Sequence, residues 1–176
     1  MIERIGIPFA PALERGRPAE TVIEWWLKAR GHLVLPAHAY NGTPERHEAD
    51  RVPRLRALDH RLSLKVPDYL IATRTGSLWV EVKYKEAGAD HGDVGMNLPM
   101  HEDYLLVKRE TRIPVWVLFC LVPENEIIGL EIDELDRVKR VPNRSLVFYA
   151  RASFPAKPLA KWSEVLASFQ AARGLS

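Results

Sequence analysis

At 176 residues, 47% hydrophobic and 27% charged, the chain has the length of one domain, which buries roughly 70% of its unfolded surface in a single core. Its formal net charge of +2 permits nucleic-acid binding without demanding it, since overall charge speaks to association and not to fold. A lone cysteine, Cys120, excludes an intrachain disulfide and argues against a structural zinc site. No apolar run reaches the eighteen residues of a membrane span, and the first thirteen residues lack the apolar core of a signal peptide. A single domain in a reducing, cytoplasmic setting is expected.

The predicted elements run as follows. Residues 1–17 read as an extended N-terminal arm, and Pro18 opens a helix to about Arg30 that Gly31 closes. His32 to Tyr40 is a strand. Residues 41–65 form an inserted loop with room for a short helix, broken by Asn41-Gly42, Pro44 and Pro53 and rich in arginine. Strands at Val66–Ile71 and Leu78–Lys85 flank the short polar turn Thr73–Ser77. Glu86 to Leu98, with three glycines and no hydrophobic period, is a loop. Pro99 to Arg112 is a second helix, Ile113 to Val122 a buried strand, and Glu126–Ile132 and Ser145–Ala150 two short strands. Residues 157–173 form a C-terminal helix.

Two of these strands carry charge where apolar residues dominate. Leu78, Val80 and Val82 alternate with Trp79, Glu81 and Lys83, so Glu81 and Lys83 share one strand face, about 7 Å apart. Antiparallel pairing across the turn sets the start of the first strand, with Asp68, opposite the end of the second, where Glu81 to Lys83 lie. Burying such groups without partners costs several kcal/mol, and a divalent metal with a phosphate would offset that cost. Asp68 and Glu81 supply hard oxygen ligands and Lys83 a cation beside them.

Helical phase singles out a further carboxylate. At 100° per residue, Ala19, Val22, Ile23, Trp26 and Leu27 make an apolar stripe, with Glu20 about 90° from its centre and Glu24 about 130°. Glu20 therefore borders the buried face, where it can enter a cleft, and Glu24 faces water. On the second helix, His101 and Lys108 lie together along one edge of the stripe Met100, Tyr104, Val107 and Thr111. A lone histidine there reads as surface, and Lys108, charged at any pH near neutrality, is the better phosphate ligand. Arg137, Lys139, Arg140 and Arg144 read as a solvated basic face.

Pro67-Asp68, twelve intervening residues, then Glu81-Val82-Lys83 resembles the signature of the PD-(D/E)XK nuclease superfamily. Gly16-Arg17-Pro18-Ala19-Glu20, Val22, Leu27 and Gly31-His32-Leu33-Val34-Leu35 resemble the opening of its archaeal Holliday-junction-resolvase branch, the likeness covering roughly Arg15 to Val122. The resemblance implies an α/β (α+β) restriction-endonuclease-like core in αβββαβ order, with a mixed central sheet flanked by helices. It further implies hydrolysis of nucleic-acid phosphodiester bonds, DNA being the favoured substrate, with Mg²⁺ as cofactor and Mn²⁺ able to substitute. Asp68, Glu81 and the carbonyl of Val82 would hold the metal, Glu20 would complete its shell, and Lys83 would serve the attacking water or the phosphate. Lys108, Arg51, Arg54 and Arg56 would contact nucleic-acid phosphates. Two other classes stay open: a noncatalytic module binding nucleic acid or protein, and a nuclease subunit of a mobile-element or defence assembly that needs a partner chain. A homodimer is equally compatible with the residues.

Overall fold

The computed structural model describes residues 9–37, 54–56, 63–86, 93–155 and 157–174. In chain order these form α1 (Phe9–Ala29), β1 (Leu33–Pro36), β2 (Arg54–Arg56), β3 (Ser63–Lys65), β4 (Tyr69–Thr73), β5 (Gly76–Lys85) and β6 (Val94–Asn97). They continue with α2 (Leu98–Thr111), β7 (Val115–Leu121), β8 (Glu126–Glu131), α3 (Ile132–Val138), β9 (Lys139–Arg140), β10 (Leu146–Tyr149) and α4 (Trp162–Ala172).

The main sheet has the order β1-β4-β5-β7-β8. β1, β4 and β5 pair antiparallel, β5 and β7 parallel, and β7 and β8 antiparallel. A parallel pair needs a crossover, which β6 and α2 provide. Leaving the additions aside, the core reads α1, three antiparallel strands, α2 and β7, the αβββαβ order with a mixed sheet between helices.

Both faces of the sheet are covered, which explains why β7 (Val-Trp-Val-Leu-Phe-Cys-Leu) is apolar almost throughout. Val80, Val82, Leu118 and Cys120 turn to one side and pack with Ala19, Val22 and Ile23 of α1 and Val165 and Phe169 of α4. Val117, Phe119 and Leu121 turn to the other side, against Tyr104 and Val107 of α2 and Ile132 and Leu135 of α3. Gly31 ends the first helix as its sequence predicts. Its φ of +83° is open to glycine at little cost, and the amides of Gly31 and His32 bond back to Lys28 and Leu27.

Three expectations need correction. The extended arm is helical from Phe9 onward, with Pro18 inside α1 rather than at its start. Ala10, Ala12, Leu13, Glu14 and Arg15 are strong helix formers and carry the helix through the one amide that proline removes. Within the 41–65 insertion, β2 and β3 form a small antiparallel pair, Arg54 opposite Lys65 and Arg56 opposite Ser63. The loop before α2 contains β6, which joins β10 and β9 in a second, three-stranded sheet. Val94 and Met96 alternate into the core there, a period too short to stand out among glycines. Between β8 and β9 lies α3, started by a reciprocal capping box in which Glu131 and Glu134 each satisfy the other's backbone amide. Among the described residues no helix is long and apolar enough to cross a membrane.

Candidate active site

The β4–β5 register sets Tyr69 opposite Val80, so Asp68, one residue before β4, stands opposite Glu81. The backbone amide of Val82 donates to Asp68 Oδ2 at 2.8 Å, which ties the carboxylate to the neighbouring strand. Glu81 is 2% exposed. Its Oε1 accepts from the Lys83 ammonium in a close ion pair, the two side chains sharing a face as period-two geometry requires. Glu81 Oε2 and the hydroxyl of Tyr104 are both buried, and among the described residues neither has a hydrogen-bond partner of good geometry. The hydroxyl nevertheless lies near enough to Glu81 to help stabilise its charge. A buried, unsatisfied carboxylate oxygen is costly in a closed core, so its presence marks a site built for something else.

The charges form one coupled set. Burial drives the Asp68 carboxyl well above the usual carboxylate range, and the negative charges of Glu81 and Glu20 add to this. Burial also pushes Glu81 upward, but Lys83 and Lys65 outweigh it and hold that carboxyl below its ordinary value. For Lys83 burial favours the neutral amine, whereas Glu81, Asp68 and Glu20 together hold the proton more tightly than usual. Burial lowers Lys65 below the ordinary lysine value, against the pull of Glu81. Among the described residues three carboxylates thus meet two ammoniums, and Asp68 is the group left short of positive charge.

That imbalance suits a divalent cation. Among the described residues no three acidic, histidine or cysteine side chains close into a preformed metal cage. Asp68, with the second oxygen of Glu81, offers hard oxygens in an open set, the pattern that suits a divalent cation retaining several waters.

Glu20, half-buried on α1, belongs to this electrostatic cluster, since its charge acts on Asp68, Lys83 and Lys65. Its backbone carbonyl accepts from the Tyr69 hydroxyl at 3.1 Å, which fixes α1 against β4. Glu24, one turn on, pairs instead with exposed Lys28 at 2.5 Å. Lys65 is a residue that sequence reasoning passed over, because it sat in a segment read as loop. It ends β3, where its amide donates to Asp103 of α2 at 2.9 Å and its ammonium lies 3.7 Å from Met100 Sδ. The visible signal is buried Leu64 between Ser63 and Lys65, leading straight into Pro67-Asp68.

Other expected contacts lie elsewhere. Lys108 is not brought to the carboxylates: it pairs with Glu131 and, at 2.5 Å, with Asp133, more than two helical turns from Met100. His101 is not a surface group. It is fully buried, bonded through Nδ1 to the Tyr149 hydroxyl at 2.7 Å and through Nε2 to Asp136 at 2.8 Å. α3 and β10 cover that edge of α2, which no pattern within α2 can show. Arg51 lies outside the described residues, and Arg54 and Arg56 sit on β2. The basic face is partly neutralised, Lys139 by Asp136 and Arg140 by Asp93. Trp25 packs edge-on against Phe169 of α4, ring centroids 5.7 Å apart.

Sequence comparison finds no matching family model and no matching curated protein. Among solved structures the chain is similar to Hjc, a Holliday junction resolvase from the archaeal hyperthermophile Archaeoglobus fulgidus, with a TM-score of 0.53 and 12% identity over 87% of this chain and 96% of that one. It is also similar to D212, a nuclease from a fusselovirus, with a TM-score of 0.43 and 11% identity over 98% of each chain. Taken with the αβββαβ order and the mixed sheet, the likeness to the resolvase gives this chain a restriction-endonuclease-like fold.

Proposed function

We propose that the chain is a divalent-metal-dependent nuclease that hydrolyses phosphodiester bonds of DNA. One observation carries the reading: Asp68, held by the Val82 amide, and buried Glu81, paired with Lys83 through one oxygen only, meet across a single strand pair. A purely structural ion pair would satisfy both oxygens of a carboxylate this deeply buried.

Asp68, Glu81 and the carbonyl of Val82 would hold Mg²⁺, with Glu20 completing the shell directly or through water. A divalent metal bound there supplies water activation and neutralises charge on the nonbridging phosphate oxygens. Lys83 is positioned to orient the attacking water and to stabilise negative charge as it develops on the phosphate. Lys65 adds a second positive charge from β3. Water adds to phosphorus, the bond from phosphorus to the leaving oxygen breaks, and that oxygen takes up a proton. The products are a phosphate monoester and an alcohol.

The test is incubation with supercoiled, linear, four-way-branched and single-stranded DNA in Mg²⁺, Mn²⁺, Ca²⁺ or excess EDTA. The branched substrate is included because a structural neighbour is a Holliday junction resolvase. Cleavage with Mg²⁺ or Mn²⁺ is expected. Ca²⁺ should not support it, because its looser coordination activates water less well. Full cleavage in excess EDTA, or tight DNA binding without cleavage under any metal, overturns the reading.

A further inference from the structure

The strand face that carries Glu81 and Lys83 continues to Lys85. Beside it opens a cavity of about 360 Å³ whose wall includes Lys83, Lys85, Met96, Met100, Phe148 and Arg151. That volume falls within the range of small-ligand sites, about 300–1,000 Å³. The cavity starts at the proposed catalytic lysine, and its chemistry is mixed, with cations along β5 and a soft apolar wall from β6, α2 and β10.

Lys85 distinguishes this cavity from a packing gap. Lys83 is paired with Glu81 and Arg151 with Glu126. Asp93, on the same wall, is taken by Arg140, and Glu124 stands exposed at the rim. Lys85, by contrast, donates to the carbonyl of Gly95 at 2.7 Å and has no ion pair with a carboxylate among the described residues. Burial and the neighbouring Lys83 lower its ammonium to about 8. A phosphate would supply the missing counter-charge through a charge-assisted bond.

The apolar part of the lining suits a base. Phe148 is locked in place over Gly95, where even a β-carbon would come within 2.9 Å of the ring. Aromatic faces and methionine sulfur both make favourable contacts with flat π systems. From Lys83 to Lys85 the strand advances about 7 Å, a step on the scale of successive phosphates in an extended nucleic-acid strand.

We propose that this cavity takes the nucleotide next to the cleaved phosphodiester, its phosphate on Lys85 and its base against Met96 and Phe148. The identity of the strand rests on the nuclease reading above. The pocket itself is tested without cleavage.

The experiment titrates the protein with a deoxynucleoside 5′-monophosphate, the unphosphorylated deoxynucleoside and inorganic phosphate, following binding by NMR line shifts. Wild type should bind the monophosphate more tightly than either part. Lys85→Met should weaken that binding about tenfold, the scale of one bond to a charged group, and Lys85→Arg should restore most of it. Leu146→Trp, at the exposed rim, should occlude the pocket, whereas Glu24→Gln, paired with Lys28 on α1, should leave nucleotide binding unchanged. In cleavage of an oligonucleotide, Lys85→Met should raise KM about tenfold with kcat within about threefold, a loss of uniform binding. Equal binding of inorganic phosphate and the monophosphate, or unchanged nucleotide affinity in both Lys85→Met and Leu146→Trp, overturns the proposal. Lys85-dependent nucleotide binding in a protein that cleaves nothing upholds the pocket and overturns the nuclease reading alone.

Discussion

Lys65 and Lys83 approach the same sulfur, their ammonium groups lying 3.7 and 3.1 Å from Met100 Sδ. They come from different strands, β3 and β5, and Glu81 feels both charges. A thioether is only a weak acceptor, so the arrangement leaves both ammoniums ready to exchange it for a better oxygen partner.

Lys65 should therefore matter to turnover as well as Lys83. Lys65→Met keeps most of the stem's packing and removes the charge, and kcat with Mg²⁺ should fall by roughly 10- to 100-fold, toward the scale of losing one preorganised electrostatic group. Single-turnover cleavage is the measurement. A wild-type rate in a folded Lys65→Met protein would confine the catalytic cations to β5.

The carboxylates separate by position. Asp68→Asn retains an oxygen for the Val82 amide and so preserves the strand pairing while removing a negative charge. Its turnover should drop roughly 100-fold or more, with DNA affinity changed by only a few-fold. Glu20→Gln should also impair cleavage, whereas Glu24→Gln should not, since Glu24 is engaged with Lys28 away from the cluster. Equal activity in the Glu20 and Glu24 variants would remove α1 from the mechanism.

Acid should destabilise the fold through His101. Burial holds its imidazole below the ordinary histidine value, although the bond to Asp136 partly opposes this. The folded pKa is then lower than the unfolded one of about 6.5, so the unfolded state binds the proton first. This contribution is fully present above the unfolded value and is lost as pH falls through the folded one. Urea unfolding between pH 7.5 and 5 should show declining stability in wild type and a flatter profile in His101→Gln. Parallel profiles would assign the acid sensitivity to other groups.

Salt dependence should tell the basic surfaces apart. Replacing Arg51, Arg54 and Arg56 together by alanine should weaken DNA binding regardless of sequence and flatten the log–log salt slope by up to about three, near one per phosphate contact. Lys108→Ala should leave the slope unchanged, because Glu131 and Asp133 already neutralise that ammonium. If the triple variant overlays wild type and Lys108→Ala does not, the DNA path crosses α2 rather than the insertion.

The sequence by itself determined the β4–β5 hairpin, the face shared by Glu81 and Lys83, the placing of Asp68 across from the Glu81–Lys83 end of β5 and the phase that favours Glu20 over Glu24. All of these follow from local periods of 2 and 3.6 residues and one short turn. Short elements whose partners are distant in sequence stayed hidden. Four residues of β6 have no meaning until β10, some fifty positions later, pairs with them. His101 looked solvent-exposed because α2 alone does not show that α3 and β10 close over it. Lys65 joined the site for the same reason, since its place is set by β3 docking on α2 through Asp103 and by the sulfur of Met100. Periodicity reports which way a side chain points from its own element. Only tertiary packing decides what it meets there, because contacts between elements far apart in the chain depend on how those elements close together.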